Sequence, residues 1–251
     1  MDRRAAESAL SGQLGLFDTR LISLGGRPLE YRFVRRRRRS LGITVDATGL
    51  AVSAPMRAPF REIEAFLRDK ERWILAKLEE WARVPRAPSV SVASGDTLPL
   101  FGEPHVLEVR EGGRSVKRDG DLLVVSAPDR SRAADTLVGW LKTRALETLA
   151  PLAEGYAVLL GLPAPQVALS NARGQWGVCV EGGVIRLNWR LVHLPLRLGE
   201  YVAAHEAAHL VEMNHSKRFW QLVAALYPGW REARRELEIA GAAIPIIKGA
   251  K

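Results

Sequence analysis

Apolar and polar residues alternate in short runs over the first third of the chain and recur at helical spacing over much of the rest. Between Arg20 and Pro55 the alternation is broken by Gly25-Gly26, by an arginine run and by Thr48-Gly49. This predicts three or four strands, among them Leu41–Val45 and Leu50–Ala54 joined by a tight turn. Ile63, Phe66, Leu67, Trp73, Ile74, Leu78 and Trp81 then keep one apolar face, so a single helix is predicted over 60–83. Pro59 opens it, and the Pro-rich stretch Val84–Pro88 closes it as a candidate linker. Further strands are predicted at Leu98–Phe101, Val106–Val109 and Leu122–Val125. Asp135 reads as the N-cap of one long helix, or two abutting ones, ending near Leu160 before Gly161-Leu162-Pro163. Val167–Leu169, Gln175–Val180 and Val184–Asn188 are strands again, the last two joined through Glu181-Gly182-Gly183. Helix is predicted from Leu196 to Met213 and from Ser216 to Ile239, with a break at Pro228-Gly229, and no internal repeat stands out. The pattern is α+β. Residues 1–19 read as a mobile tail, 20–130 as a β-rich N-terminal region with one helix, and 131–251 as a compact domain of strands and helices.

With 251 residues, 47% hydrophobic and 26% charged, the chain can bury a core. It has no apolar run long enough to cross a bilayer, so no membrane partner is expected. Met1 to Leu10 lacks the continuous apolar stretch of a secretory signal, and the single Cys179 excludes an intramolecular disulfide framework. A cytoplasmic protein is the expectation. The net charge of +9 and the run Arg35-Arg36-Arg37-Arg38-Arg39 favour an anionic partner, DNA first.

The segment His205-Glu206-Ala207-Ala208-His209 adds specific chemistry. Histidines four apart on one helix face the same way, so both imidazoles can reach one ion. Glu206, beside the first of them, is placed to act as general base on a water. His215 follows His205 by ten residues, the spacing of a third ligand, with Glu232 or Glu236 on the following helix as the alternative. Three protein nitrogens around one zinc per chain leave a position open, as in catalytic sites. Glu212 stands where the metzincin motif has the glycine that turns the chain out of the helix, so Asn214 is the residue expected to turn it through a left-handed conformation. Burying two histidines and a glutamate among Tyr201, Val202, Ala203, Ala204, Ala207, Ala208 and Leu210 without a partner would cost several kcal/mol, on the order of a desolvated polar group each.

Beyond this motif the chain resembles the YgjP-like metallopeptidases, relatives of the SprT-like and Wss1-like proteases. The resemblance runs from about Arg32 to Leu237. It rests on Gln175-Trp176-Gly177-Val178-Cys179, Ile185-Arg186-Leu187-Asn188-Trp189-Arg190-Leu191, Leu194-Pro195, Tyr201-Val202, His205 through Ser216, and Phe219-Trp220. Shorter pieces, Arg38–Leu41, Val52–Pro55 and Trp73-Ile74, agree. It implies a zincin-like fold, zinc on His205, His209 and His215, a catalytic Glu206 and a protein or peptide substrate. The family's Arg-Trp-Gly-Ser-Cys is Gln175-Trp176-Gly177-Val178-Cys179 here, which removes any substrate or anion contact made through those two changed side chains. The strand Val184–Asn188 is expected to form the edge beside the active-site helix, where an extended peptide could add. Trp176, Trp189 and Cys179 read as packing residues. The sequence singles out no oxyanion donor: Tyr227 could serve, but an aromatic before Pro228 is more often a packing residue.

In the tail, Gln13-Leu14-Gly15-Leu16-Phe17 is similar to the peptide by which bacterial replication and repair proteins dock on the polymerase sliding clamp. Adjacent apolar anchors would fill a groove while Gln13 is held by hydrogen bonds. The alternative is that Leu14, Leu16 and Phe17 pack on the first sheet. The expected function is therefore zinc-dependent peptide hydrolysis, with recruitment to DNA-associated proteins through a clamp. The rival readings are a DNA- or clamp-associated binding module with structural zinc, and a zinc hydrolase of a non-peptide amide.

Overall fold

The structure, a computed structural model, describes residues 18–46, 48–84, 87–172, 174–180 and 182–249. The expected docking peptide, Gln13, Leu14, Leu16 and Phe17, lies outside the described residues. Two compact units divide within the expected linker, as Met1–Pro85 and Arg86–Lys251. The strands between 89 and 127 thus fall with the helices, although the sequence pattern grouped them with 20–130. They do so because Leu107, Leu123, Val125 and Ala127 share one core with Leu137 and Leu141 of the long helix that follows.

In the first unit β1 (Asp18–Leu24), β2 (Arg27–Arg36), β3 (Gly42–Asp46) and β4 (Gly49–Pro55) form a sheet of order β1-β2-β4-β3, with only β2 and β4 parallel. Period-two alternation turns Tyr31, Phe33, Leu50, Val52 and Ala54 to one face, where Ile63, Leu67 and Ile74 cover them. The single helix predicted over 60–83 is two, α1 (Phe60–Asp69) and α2 (Glu71–Ala82), broken at Lys70 with φ −96° and ψ 9°. Asp69-Lys70-Glu71-Arg72 holds no apolar side chain, so hydrophobic spacing carries no information across the break. Within the arginine run, Arg35 donates to the carbonyls of Pro55, Met56 and Ala58 at 3.0, 3.0 and 2.9 Å, and Arg38 donates to the Ser53 hydroxyl. Arg36, Arg37 and Arg39 are exposed.

In the second unit β6 (Thr97–Leu100), β7 (Glu103–Glu111), β8 (Ser115–Asp119) and β9 (Leu122–Ala127) repeat that topology, in the order β6-β7-β9-β8 with only β7 and β9 parallel. The equivalent inner strands carry one pattern, Leu50-Ala51-Val52-Ser53-Ala54-Pro55 and Leu123-Val124-Val125-Ser126-Ala127-Pro128. The same positions point inward in both, Leu50, Val52 and Ala54 against Leu123, Val125 and Ala127. An internal repeat is therefore present where none was read. Strand β8, Ser115-Val116-Lys117-Arg118-Asp119, was not anticipated because its side chains are almost all polar and exposed.

A single helix, α3 (Ala133–Leu159), follows and runs through Pro151. Asp135 is not its N-cap but lies in its first turn; Asp129 caps the short 3-10 turn before it, its carboxylate accepting from the Arg132 amide at 3.2 Å. A third sheet contains β10 (Val167–Ser170), β11 (Gly177–Val180) and β12 (Val184–Asn188) in the order β10-β12-β11. Strand β12 is central, so the edge beside the next helix is β11, not Val184–Asn188 as the hairpin pattern suggested. A 3-10 turn, Trp189–His193, leads into α4 (Leu196–His209), α5 (Lys217–Leu226) and α6 (Trp230–Ala242), with α5 and α6 broken at Pro228-Gly229 as expected. Short strands β5 (Ser89–Val90) and β13 (Ile246–Ile247) pair in parallel. Among the described residues no helix is long and apolar enough to cross a membrane.

His193 ties this unit together, its buried Nδ1 donating to the Pro99 carbonyl at 2.9 Å. Burial pushes its imidazole down from 6.5 to about 4, outweighing that hydrogen bond, which opposes the shift. The unfolded chain therefore binds more protons between pH 6.5 and 4, and stability is lost as pH falls through that window. A shift of this size amounts to about 3 kcal/mol at most. Urea denaturation of wild type against His193→Gln should show the wild-type midpoint falling faster over that pH range, with the two pH profiles running parallel above it.

Candidate metal centre

Helix α4 carries ionisable groups on a face that packing buries. Ala203, Ala204, Ala207 and Ala208 are fully buried around Glu206 and His209, which are 5% and 8% exposed. His205 and His209, one turn apart, present their rings to the same point with centroids 5.0 Å apart. The chain leaves the helix at Leu210, whose amide, with those of Val211 and Glu212, bonds back to Ala207 and Ala208. Asn214 does not adopt a left-handed conformation; its side chain donates to Glu212 Oε1 at 2.5 Å and its carbonyl accepts from the Ser216 amide at 2.8 Å. This turn returns His215 to within 5.1 and 4.8 Å, ring to ring, of His205 and His209. Ser216 then caps α5, its hydroxyl accepting from the Phe219 amide at 3.3 Å, and so fixes where Phe219 points.

Phe219 is fully buried beneath all three imidazoles, stacked on His209 at 4.4 Å and edge-on to His205 and His215 at 4.9 and 4.7 Å. Trp220 stacks on His215 at 5.7 Å and on Trp230 at 4.4 Å. One candidate ligand atom from each of His205, His209 and His215 lies within 4.8 Å of the others, and the Nε2 atoms of His205 and His215 are 3.2 Å apart. A tetrahedral ion bound at about 2.0–2.1 Å to each nitrogen would separate them by about 3.3–3.4 Å, so the cluster is close to a ligand set. His209 Nδ1 donates to the Glu212 carbonyl at 3.1 Å, which leaves its Nε2 lone pair for a metal. Burial pushes the His205 imidazole down to about 3, helped by the charges of His209, His215 and Arg234. Burial also lowers His209, so both rings favour the neutral, ligating form. The residues fit a divalent cation. The alternative third ligands do not join them: Glu236 is bound by Arg197 on the surface, and Glu232 is exposed in the first turn of α6.

Glu206 lies against β11 and shares a cleft wall with His205. Burial pushes its carboxyl up to about 7, and the Cys179 amide, donating to it, opposes the shift. A side chain at position 177 would displace Glu206: a Cβ added to Gly177 would lie 2.6 Å from both Cγ and Oε1 of Glu206. A cleft of about 370 Å³ opens here, with His205, Glu206, Tyr201, Gln175, Trp176 and Arg234 in its walls. Tyr227 is not among its lining residues; its hydroxyl donates to the Arg197 carbonyl at 3.1 Å. Trp189 and Cys179 are buried as packing residues, 5% and 7% exposed, whereas Trp176 also lines the cleft. The roles of Gly177, of the Cys179 amide and of Phe219 were missed from sequence, although the glycine beside Trp176 was a visible signal of close approach.

A family model described as the YgjP-like metallopeptidase domain matches residues 39–240. No curated protein matches the chain, and no solved structure does. Metal analysis of purified protein should give about one zinc per chain for this imidazole set. His205→Ala and His209→Ala should abolish tight binding, and His215→Ala should weaken it by more than the roughly 10- to 100-fold that loss of a group hydrogen-bonded to a ligand costs. Full occupancy in His215→Ala would remove it from the ligand set.

Proposed function

The chain belongs to the YgjP-like metallopeptidase family, and on that premise we propose that it is a zinc peptidase using Glu206 as its general base. In this reading the zincin-like catalytic chemistry belongs to the second unit, Arg86–Lys251, with one ion held by His205, His209 and His215. The observation that carries it is the convergence of these imidazoles beside a buried carboxyl held against an edge strand. A bound zinc would supply Lewis acidity toward a substrate carbonyl and toward water. Glu206 takes the proton of the attacking water and delivers it to the leaving nitrogen. A divalent cation beside it favours the ionised, proton-accepting carboxylate, against the effect of burial. The Cys179 amide and the absent side chain at Gly177 keep that carboxylate in one place. A purely structural metal site would have no need of this carboxyl.

Glu206→Gln should retain metal and fold while hydrolysis of a verified protein substrate falls by roughly 100- to 10,000-fold, the usual worth of a general base. Gly177→Ala should do the same in milder form by displacing Glu206. Equal turnover by Glu206→Gln and wild type would remove the general-base assignment.

A second reading concerns recruitment and is supported by the sequence Gln13-Leu14-Gly15-Leu16-Phe17. It adds clamp docking by this peptide, and DNA contact by the exposed Arg36, Arg37 and Arg39, which would bring the peptidase to DNA-associated proteins. Peptide docking should have an affinity of about micromolar order, the gain left after a short segment is ordered. Alanine at both Leu16 and Phe17 should abolish it in a titration against a bacterial clamp without changing zinc content. DNA binding should weaken steeply with salt while clamp binding changes little. Equal clamp binding by the double variant would end the docking assignment.

A further inference from the structure

The cleft beside the imidazoles is lined by several side chains that can donate a hydrogen bond, and they differ in how firmly they are held. Gln175 and Arg234 are exposed, and the Arg234 guanidinium lies over the Trp220 ring, 5.3 Å from its centroid. Tyr201 lines the same cleft but is only 4% exposed. It stands on α4 one turn before His205, on the same face of the helix. Its ring meets His205 edge-on at 6.0 Å and Tyr227 at 6.0 Å, and these contacts hold the phenol in place.

The hydroxyl of this buried ring is its unusual feature. No described residue hydrogen-bonds to it, and it keeps contact with solvent. The neighbouring Tyr227 hydroxyl, by contrast, is taken up by the Arg197 carbonyl at 3.1 Å. Buried polar groups ordinarily find a partner within the protein. Burial raises the Tyr201 phenol above its ordinary range, while the charge of Arg234 lowers it and that of Glu206 raises it. Both charges reach the hydroxyl, so that end of the ring belongs to the cleft. A donor fixed by packing in a mostly desolvated wall needs no reorganisation when charge develops in front of it, unlike the solvated Gln175 and Arg234.

We infer that Tyr201 is a further catalytic residue, whose hydroxyl donates a hydrogen bond to the carbonyl oxygen of the peptide bond being cut. The inference rests on the peptidase reading and deepens it. As the water oxygen bonds to the carbonyl carbon, Glu206 takes the water proton and the carbonyl π pair moves onto oxygen. The Tyr201 O–H then faces a negative charge. When the C–N bond breaks, the pair on oxygen restores the carbonyl and the nitrogen takes the proton from Glu206. Tyr201 keeps its own proton throughout, so its contribution grows with the charge and is greatest in the transition state.

The test reads binding without turnover, on full-length zinc-loaded Glu206→Gln protein with and without Tyr201→Phe, which removes the hydroxyl and keeps the ring. Equilibrium dialysis compares two N-acetylated random octapeptide pools with C-terminal amides, alike except that one carries a phosphinate in place of its central peptide bond. The phosphinate is tetrahedral and anionic, as the carbonyl becomes under attack. Tyr201→Phe should weaken binding of the phosphinate pool by about 10- to 100-fold, the range of one hydrogen bond to a charged group. The peptide pool should change by no more than about twofold, because the uncharged carbonyl gains little from this donor. Zinc content should not change, and Tyr227→Phe, whose hydroxyl is already engaged, should leave phosphinate binding as it was. Equal binding of the phosphinate pool with and without Tyr201→Phe, none detectable included, overturns the inference. So does a loss shared equally by the peptide pool, a loss accompanied by loss of zinc, or an equal loss in Tyr227→Phe, each of which marks packing rather than donation. Failure of the peptidase reading shows separately, as equal cleavage by wild type and Glu206→Gln.

Discussion

Desolvation of ionisable groups on one short helix is the constraint on which the second unit depends. Helix α4 removes Glu206 and His209 from water and half-buries His205, among alanines that offer them nothing. Isolated, each such group would cost on the order of a few kcal/mol. The surroundings meet this cost with specific partners: a backbone amide for Glu206, the Glu212 carbonyl for His209, and an aromatic floor that lets three rings crowd together. What those partners leave unsatisfied is the set of imidazole lone pairs, and a divalent cation satisfies all of them at once. The element that makes this possible is modest. Small side chains at 203, 204, 207 and 208 let neighbouring elements close over the helix, which larger residues would hold away.

Edge strand β11 complements the helix. It contributes no titratable side chain to the chemistry, yet its backbone decides where Glu206 stands, by a missing side chain at one position and an amide two residues on. Gln175, just before this strand, and Val178 within it have no part in either device, because neither device uses a side chain. The cost of that economy is rigidity of sequence at Gly177, where even a methyl group would meet the carboxylate.

The candidate ligands and base were legible because helical periodicity converts a spacing of four into a shared face, and the pattern of β12 gave its bounds to the residue. Other features were lost for identifiable reasons. Sheet order is a tertiary fact, so the hairpin pattern could not tell that β11 rather than β12 lies at the edge. The break at Lys70 falls where four charged residues erase the apolar phase. The turn after Leu210 is built from amides bonding back into the helix, which spares Asn214 the left-handed conformation its residue type suggested. The division at Pro85/Arg86 was visible as a linker, but the affiliation of the strands after it depended on packing against α3. The repeated Leu-x-Val-Ser-Ala-Pro was in plain view and went unread, because two six-residue matches 73 positions apart fall below any periodic signal.

That repeat sets a problem of identity during synthesis. Strands β4 and β9 turn the same inward residues to their cores, and each lies parallel to a strand from the preceding hairpin. A chain released from denaturant all at once must therefore choose between near-equivalent partners, β2 for β4 or β2 for β9, with little in the inner strands themselves to discriminate. Emergence from the ribosome removes the choice: β1 through β4 are complete before Leu123 has been joined to the chain, so the first pairing closes with no competitor present. Vectorial synthesis thus supplies a specificity that the two strands, taken alone, do not encode.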